Sequence, residues 1–419
     1  MKNDIIVGLD IGTTKISCIV GRRNEYNKLE ILGMGRAESF GVQRGVVANL
    51  EKTTNAIKQA VTAAEENSGH EIHEVIVGIA GQHIRSIQHR GIITRDNAED
   101  FISKADIKRL TDEMYKLALP PGDKIIHVLP QDFIVDDEQG VTDPIGRAGV
   151  RLEANFHIIT GKSAAINDIH RCVEHAGFIV KGLMLEPLAS AASVLGDEER
   201  EAGVAMVDIG GGTTDIAIFH NHIIRHTAVI PLGGNVVTED IKEGCMIMRN
   251  SAEQLKVKFG SALAVDEQEN QIVSIQGLKG REPKEISLKN LAHIIEARMK
   301  EILDYSYYEI QQSGYADKLI GGIVVTGGGS QLKHLKQLVE YVTGLDARIG
   351  YPTEHLATGA EEAGNPMYAT GVGLIIKGFE EFNVPVETGN TTTKKGNGWF
   401  KNIFDWGKRA LQEEDTELR

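Results

Sequence analysis

Cysteine is scarce: Cys18, Cys172 and Cys245 are the only three in 419 residues, far apart and in no metal-ligand or redox spacing. That excludes a disulfide framework and a cysteine metal site, and a reducing cytoplasm is the expected setting. Long apolar runs are missing too. No segment reaches the roughly 18 residues of a membrane-spanning helix. Met1-Lys2-Asn3-Asp4 leads straight into strand-like residues with no apolar signal core, so the chain is expected to be neither secreted nor membrane-spanning. Positive charge is in deficit, 45 Lys and Arg against 59 Asp and Glu for a net −14. A surface that negative repels phosphate backbones at long range, which argues against nucleic-acid binding. Finally, no Gly-x-x-x-x-Gly-Lys-Ser/Thr occurs, which excludes a P-loop enzyme as far as motif reading goes.

What is present is a globular composition, 41% apolar and 25% charged, with glycine raised to 46 residues against a usual share of about 7%. Such a surplus points to tight turns or to close backbone approach to a ligand. Asp4 to Asp10 and Ile16 to Val20 are β-branched runs around a Gly-Thr-Thr turn, which predicts a hairpin. Ala56, Ile57, Ala60, Val61 and Ala64 recur at helical spacing behind an asparagine cap. The region 82–161 changes texture, with short strands, one helix near Lys104 to Leu117 and many charges, and reads as an inserted α+β subdomain. At Val204 to Phe219 the opening pattern returns: Leu-Asp10-Ile-Gly-Thr-Thr is matched by Val-Asp208-Ile-Gly-Gly-Gly-Thr-Thr-Asp215. Two copies imply two similar lobes. A long helix from Leu288 to Gln312 and a buried strand from Leu319 to Val325 follow, then a third glycine-rich turn, Gly327-Gly328-Gly329-Ser330.

A nucleoside triphosphate is held well by backbone N–H groups in tight turns, because those donors are fixed and a turn without Cβ atoms approaches closely. Gly12, Gly210, Gly211 and Gly212 suit that need, and Thr13, Thr14, Lys15, Thr213 and Thr214 add hydroxyl and ammonium donors. Asp10 and Asp208 each end a strand beside such a turn and could hold Mg²⁺, an ion that keeps several waters and takes few carboxylates. A lone Asp-x-Gly is more often a plain turn. Two related turns and a third glycine-rich loop in fixed order are not.

These residues resemble the actin, heat-shock chaperone and sugar-kinase ATPase superfamily, in which two lobes with duplicated cores close on ATP and Mg²⁺. The resemblance implies an α/β, actin-like two-lobed ATPase fold. It assigns Val7 to Ile16 and Met206 to Ile216 to the phosphate loops and Val324 to Leu332, including Gly327 to Ser330, to the adenosine loop. Glu253 and Lys256 become the pair beside ribose and adenine. Glu186 of Glu186-Pro-Leu-Ala-Ser190 takes the place that orients the attacking water; from position alone it could equally cap a helix. Insert, Ile295-Glu-Ala-Arg298 and tail together are similar to the FtsA family of bacterial cell-division proteins.

That resemblance implies a layout of first-lobe core 1–81 and 162–195, insert 82–161, second-lobe core 196–245 and 315–364, variable subdomain 246–314, closing helix 365–384, linker 385–398, helix 399–411 and acidic tail 412–419. It further implies filaments of the chain itself, at most a slow ATPase, other division proteins as partners and a peripheral place on the cytoplasmic face of the membrane at the division site. The C-terminal peptide of the tubulin-like protein FtsZ would meet Lys289, Asn290 and Arg298 on the variable subdomain. A small-molecule kinase or phosphatase of the same superfamily is the alternative; it would gain nothing from the tail.

The tail itself carries a physical argument. At about 100° per residue, Trp399, Phe400, Ile403, Phe404, Trp406 and Leu411 fall on one arc with Ala410, and Lys401, Asn402, Asp405, Lys408 and Arg409 on the other. Lys394 to Leu411 holds five basic residues and one acidic, a composition suited to an anionic lipid interface. Thirteen residues at about 1.5 Å each are too short to span. Elsewhere plain readings prevail: His220 and His222 as scattered histidines in a strand pattern rather than a metal site, Met246, Met248 and Met299 as core fillers, and Asp197 to Glu201 as a solvated loop.

Overall fold

The computed structural model describes residues 5–95, 100–264, 271–277 and 282–381. The tail calls, Trp399, Phe400, Ile403, Phe404, Trp406 and Leu411, lie outside these residues.

The first lobe begins with the predicted hairpin, β1 (Ile5–Ile11) against β2 (Lys15–Arg23), and adds β3 (Leu29–Glu38) antiparallel to β2. A two-residue ribbon, β4 (Val42–Gln43) and β5 (Val46–Val47), leads to α1 (Leu50–Ser68). The Asn49 side chain accepts from the Lys52 N–H at the start of α1, and Gly69 closes it with φ 68°. Then β6 (Glu74–Ile79) pairs parallel to β1. The insert follows: β7 (Arg85–Thr94), α2 (Lys104–Met114), β8 (Asp123–Val135), β9 (Glu138–Val141) and β10 (Arg151–Lys162). Its four-stranded antiparallel sheet, in the order β7-β10-β8-β9, packs on α2 around Leu110, Leu152, Phe156 and Ile158. The chain re-enters the first lobe through α3 (Ser163–Ala176) and β11 (Ile179–Leu185), which joins β6 in parallel.

Helix α4 (Glu186–Val194) crosses to the second lobe, where α5 (Asp197–Ala202) precedes β12 (Val204–Ile209), β13 (Thr214–His220) and β14 (Ile223–Ile230). Next come α6 (Gly234–Cys245), α7 (Arg249–Phe259), a ribbon of β15 (Ile272–Ile275) and β16 (Lys284–Ser287), and the long α8 (Leu288–Gln312). The core closes with β17 (Ile323–Thr326), α9 (Leu335–Thr343) and β18 (Ala347–Ile349), and α10 (Ala369–Glu381) returns to the first lobe.

The duplication is visible in topology. The first sheet runs β11-β6-β1-β2-β3 and the second β18-β17-β12-β13-β14, each with an antiparallel hairpin on one side of its first strand and parallel strands on the other. Three expectations are corrected. Asp197 to Glu201 is helical, because Glu199 binds the Gly196 N–H and a bidentate Arg348, each within 2.9 Å. Met246 and Met248 are 80% and 59% exposed rather than core fillers; Met299 is buried. The strand expected from Leu319 starts at Ile323, because Gly322 turns the chain at φ 64°.

The lobes are joined where α4 crosses α10. A Cβ on Gly373 would stand 1.8 Å from the Ala189 carbonyl oxygen, so the two helices touch backbone to backbone. Gly373→Ala must push them apart, an overpacking cost of about 1–3 kcal/mol or more. We expect a clear fall in the denaturation midpoint for Gly373→Ala. For Gly196→Ala, whose Cβ would meet only Glu199 Oε2 at 3.7 Å, the fall should be much smaller.

Candidate functional site

The tips of the two hairpins meet. A Cβ on Gly211 would lie 2.5 Å from Thr14 Cγ2, and one on Gly212 would lie 2.4 Å from Thr13 Oγ1, so only glycine lets the second turn come this close to the first. Between them opens a cleft lined by Asp10, Gly12 to Lys15, Glu186, Asp208, Gly210 to Thr213, Asp215, Gly327 and Gly328. Residues far apart in sequence are thus brought together around one cavity.

Strand register explains why the carboxylates converge. Asp10 pairs across its hairpin with Ser17, and Asp208 pairs with Asp215; directly opposed residues share a face of the sheet. Ser17 Oγ donates to Asp10 Oδ2 at 3.3 Å, and Lys15 Nζ reaches the same oxygen at 3.2 Å. Lys15 also stands over the Tyr368 ring, 4.9 Å from its centroid. Asp208 Oδ2 accepts from Ser190 Oγ of α4 at 2.7 Å and from Thr370 Oγ1 of α10 at 3.4 Å. Thr213 Oγ1 donates to Asp215 Oδ2 at 3.0 Å, whereas Asp215 Oδ1 is buried with no hydrogen-bond partner among the described residues.

Glu186 is the first residue of α4, and Gly78 of β6 makes room for it: a Cβ there would sit 3.0 Å from Glu186 Cγ. The Leu185 N–H donates to His127 Nε2 at 3.0 Å, and burial pulls His127 down to about 4. His127 therefore stays neutral and accepting.

Burial, and secondarily Asp10, Asp215 and Asp208, hold the Glu186 carboxyl well above the usual range, with Lys15 opposing. Burial raises Asp208 to about 6, against the hydrogen bond from Ser190. Burial and then Asp208 raise Asp215 as well. Four carboxyl groups face one ammonium. Such a site accommodates a hydrated divalent cation or a cation-bearing phosphate: it has excess negative charge and an orphaned buried oxygen. Among the described residues no three His, Cys, Asp or Glu are arranged to hold an ion by themselves.

Other anticipated residues sit at the margin. Gly327 adopts φ 82°, and a Cβ there would strike Asp208 Oδ1 at 2.2 Å. Gly329 packs on Ile209, and Ser330 is buried with its hydroxyl on the Gly327 carbonyl at 2.7 Å. Glu253 and Lys256 do not line the cleft. Lys256 Nζ binds the Gly234 carbonyl, Thr238 Oγ1 and Glu253 Oε2, each at 2.8 Å, bracing α7 against the start of α6. Thr214 turns away and donates to the Leu232 carbonyl at 2.9 Å. Arg298 on α8 is engaged by Asp240 of α6 at 2.5 and 3.0 Å and by Glu301, and Asn290 donates its backbone N–H to the Ser287 cap.

Sequence reasoning gave Asp215 and Ser190, which lie inside the motifs it quoted, no role of their own, and it missed Thr370. Asp215 had a signal: it lies seven residues after Asp208, as Ser17 does after Asp10. Nothing local marked Thr370.

Comparison with known proteins decides the family. The family description "SHS2 domain inserted in FTSA" matches residues 81–160, and "Cell division protein FtsA" matches residues 205–373. The Pseudomonas aeruginosa cell division protein FtsA is 40% identical over 377 residues, 90% of each chain. The chain belongs to the FtsA family. This FtsA-family chain has solved structural neighbours in the PilM-PilN type IV pilus biogenesis complex (TM-score 0.63, 15% identity, 90% and 98% of the two chains) and in MreB5 of Spiroplasma citri bound to ADP (TM-score 0.55, 16%, 91% and 97%). These likenesses show the actin-like fold. Among the described residues no helix is long and apolar enough to cross a membrane.

The raised carboxyls give a pH signature for this FtsA-family cleft. A folded carboxyl with a raised value binds more protons folded than unfolded, so its stabilisation is complete below the ordinary value of 3.8 and is lost as pH rises through the raised values. Without nucleotide, the fall in melting temperature between about pH 5 and 8 should be smaller in Asp215→Asn than in the parent. Equal falls would show that Asp215 titrates normally.

Proposed function

We propose that this cell-division protein binds ATP with Mg²⁺ between its lobes, assembles with copies of itself, and tethers FtsZ to the cytoplasmic face of the membrane at the division site. One observation carries the nucleotide reading: two glycine-tight hairpin tips face each other across buried Asp10, Asp208 and Asp215, beside Glu186. Gly12 to Lys15 and Gly210 to Thr213 hold phosphate oxygens by backbone N–H and side-chain donors. Asp10 and Asp208 hold the hydrated metal, and Gly327 to Ser330 border the adenosine. The bound metal supplies charge neutralisation at the phosphates. Glu186, at the start of α4 and lining the cleft, orients water. Glu253 and Lys256 support the nucleoside by fixing α6 and α7. Hydrolysis, if complete sites form between protomers, is slow. Family membership favours this reading over a small-molecule kinase or phosphatase. In calorimetric titration with Mg²⁺-ATP, Asp208→Ala should weaken binding tenfold or more, about 1.4 kcal/mol; unchanged affinity would remove Asp208 from the site.

The membrane part of the proposal rests on the sequence of residues 399–411, whose aromatic and basic arcs suit an anionic interface. A chain ending at Gly398 should lose flotation with anionic vesicles; if it floats as fully as the intact chain, the anchor lies elsewhere. For FtsZ, Lys289 and Asn290 at the start of α8 offer polar contacts to a peptide carboxylate. Arg298 contributes only by exchanging its internal carboxylates for the peptide's. Arg298→Glu should therefore weaken peptide binding and also loosen α6 from α8. Unchanged peptide affinity in that variant would exclude this contact.

A further inference from the structure

The insert departs from the first lobe and returns to it, yet it also makes a set of polar contacts to the second lobe. β14 is an edge strand of the second-lobe sheet, and an edge presents unpaired backbone groups that a fold normally covers. Here the insert covers them. Gln131 of β8 donates from Nε2 to the Ile224 carbonyl at 2.5 Å, and Ser86 of β7 donates its hydroxyl to the Thr227 carbonyl at 3.4 Å. His157 of β10, only 1% exposed, has Nε2 2.9 Å from Thr227 Oγ1 and Nδ1 3.0 Å from Gln88 Nε2. Asp132 takes both terminal nitrogens of Arg225 at 2.5 and 3.2 Å, and that arginine side chain is 8% exposed. Leu129 adds an apolar contact to the cluster that contains Ala217 and Phe219.

These contacts stand or fall together. Moving the insert along β14 would strand Gln131, His157 and Arg225, three largely buried groups, and each buried polar group without a partner costs about 1–3 kcal/mol. Arg225 differs from the arginine of a surface ion pair, which contributes little: its side chain is 8% exposed against 31% for Asp132, so removing the carboxylate leaves a buried guanidinium without that partner, which is destabilising. Apart from these contacts, the described residues join the lobes at the α4–α10 crossing, at the hairpin tips, and where residues 354–357 hydrogen-bond to Lys28 and Leu29. Any rotation about the crossing that separates the tips must carry the insert across the face of β14 or detach it.

We propose that the insert is a clamp: spliced into the first lobe, it grips β14 of the second, holds the lobes at the closed angle, and lets go when the cleft opens. The clamp stands on side-chain geometry alone; only its effect on nucleotide rests on the reading of the cleft given above.

The test uses the full chain with spin labels at Glu138→Cys on the insert and Lys336→Cys on α9. Both positions are more than half exposed, and the native cysteines are buried. Without nucleotide, the parent should give one narrow label distance. Arg225→Asp and the milder Asp132→Asn should each add a second, longer population, and the exchanged pair Arg225→Asp with Asp132→Arg should return the single distance. A single unchanged distance in both single variants would overturn the clamp, as would broadening that the exchanged pair fails to reverse. With Mg²⁺ and a fluorescent ATP analogue, release should be roughly fivefold faster or more in the single variants. Unaltered release alongside broadened distances would overturn the coupling to the cleft. If the parent binds no nucleotide, the cleft reading fails and the label distances still decide the clamp.

Discussion

The structure depends on how one buried carboxylate is held. Asp208 ends the first strand of the second lobe, and its Oδ2 accepts from Ser190 on α4 and from Thr370 on α10, the two helices that join the lobes. Ser190 and Thr370 are themselves 2.9 Å apart. A charge at that depth is costly unless it is hydrogen-bonded, so the two hydroxyls that make it tolerable also fix the crossing of the helices beneath it. Displacing either helix leaves Asp208 less satisfied, and neutralising Asp208 removes the polar tie at the crossing. Hinge and site are one construction.

Small residues make the construction possible. Gly373 lets α10 touch the carbonyl of Ala189, and Gly8 and Gly371 bring the same helix down on β1 and β2. At the hairpin tips Gly211 and Gly212 do for the site what Gly373 does for the hinge. Side chains at either place would force the lobes apart. The charge distribution follows the same economy of space. Asp10, Asp208, Asp215 and Glu186 share one cleft with Lys15, so mutual repulsion adds to burial in holding Glu186, Asp208 and Asp215 above their usual range.

The insert extends this dependence. Had it packed only on the first lobe, it would be a passive appendage. Its hold on β14 makes it a further connection between the lobes, on the opposite edge of the second-lobe sheet from β18. A partner that grips the insert therefore acts on an element in contact with both lobes.

Much of this was legible from sequence because it is local. The hairpins, the asparagine cap of α1, the duplication of Asp-Ile-Gly with Thr-Thr, and the change of texture across the insert are set by neighbouring residues, through turn chemistry and hydrophobic period. Asp10, Asp208 and the glycine turns could be chosen for the same reason. The sequence alone did not show that Glu253 and Lys256 brace two helices beside the cleft, that Arg298 is engaged by Asp240, or that Met246 and Met248 face solvent. Nor could it show Thr370 donating to Asp208 across 162 residues. Those facts depend on which faces of distant helices are pressed together. Local patterning determines the period of a helix and its apolar stripe, whereas the partner of a polar side chain is decided only when burial removes water and one acceptor is left within reach.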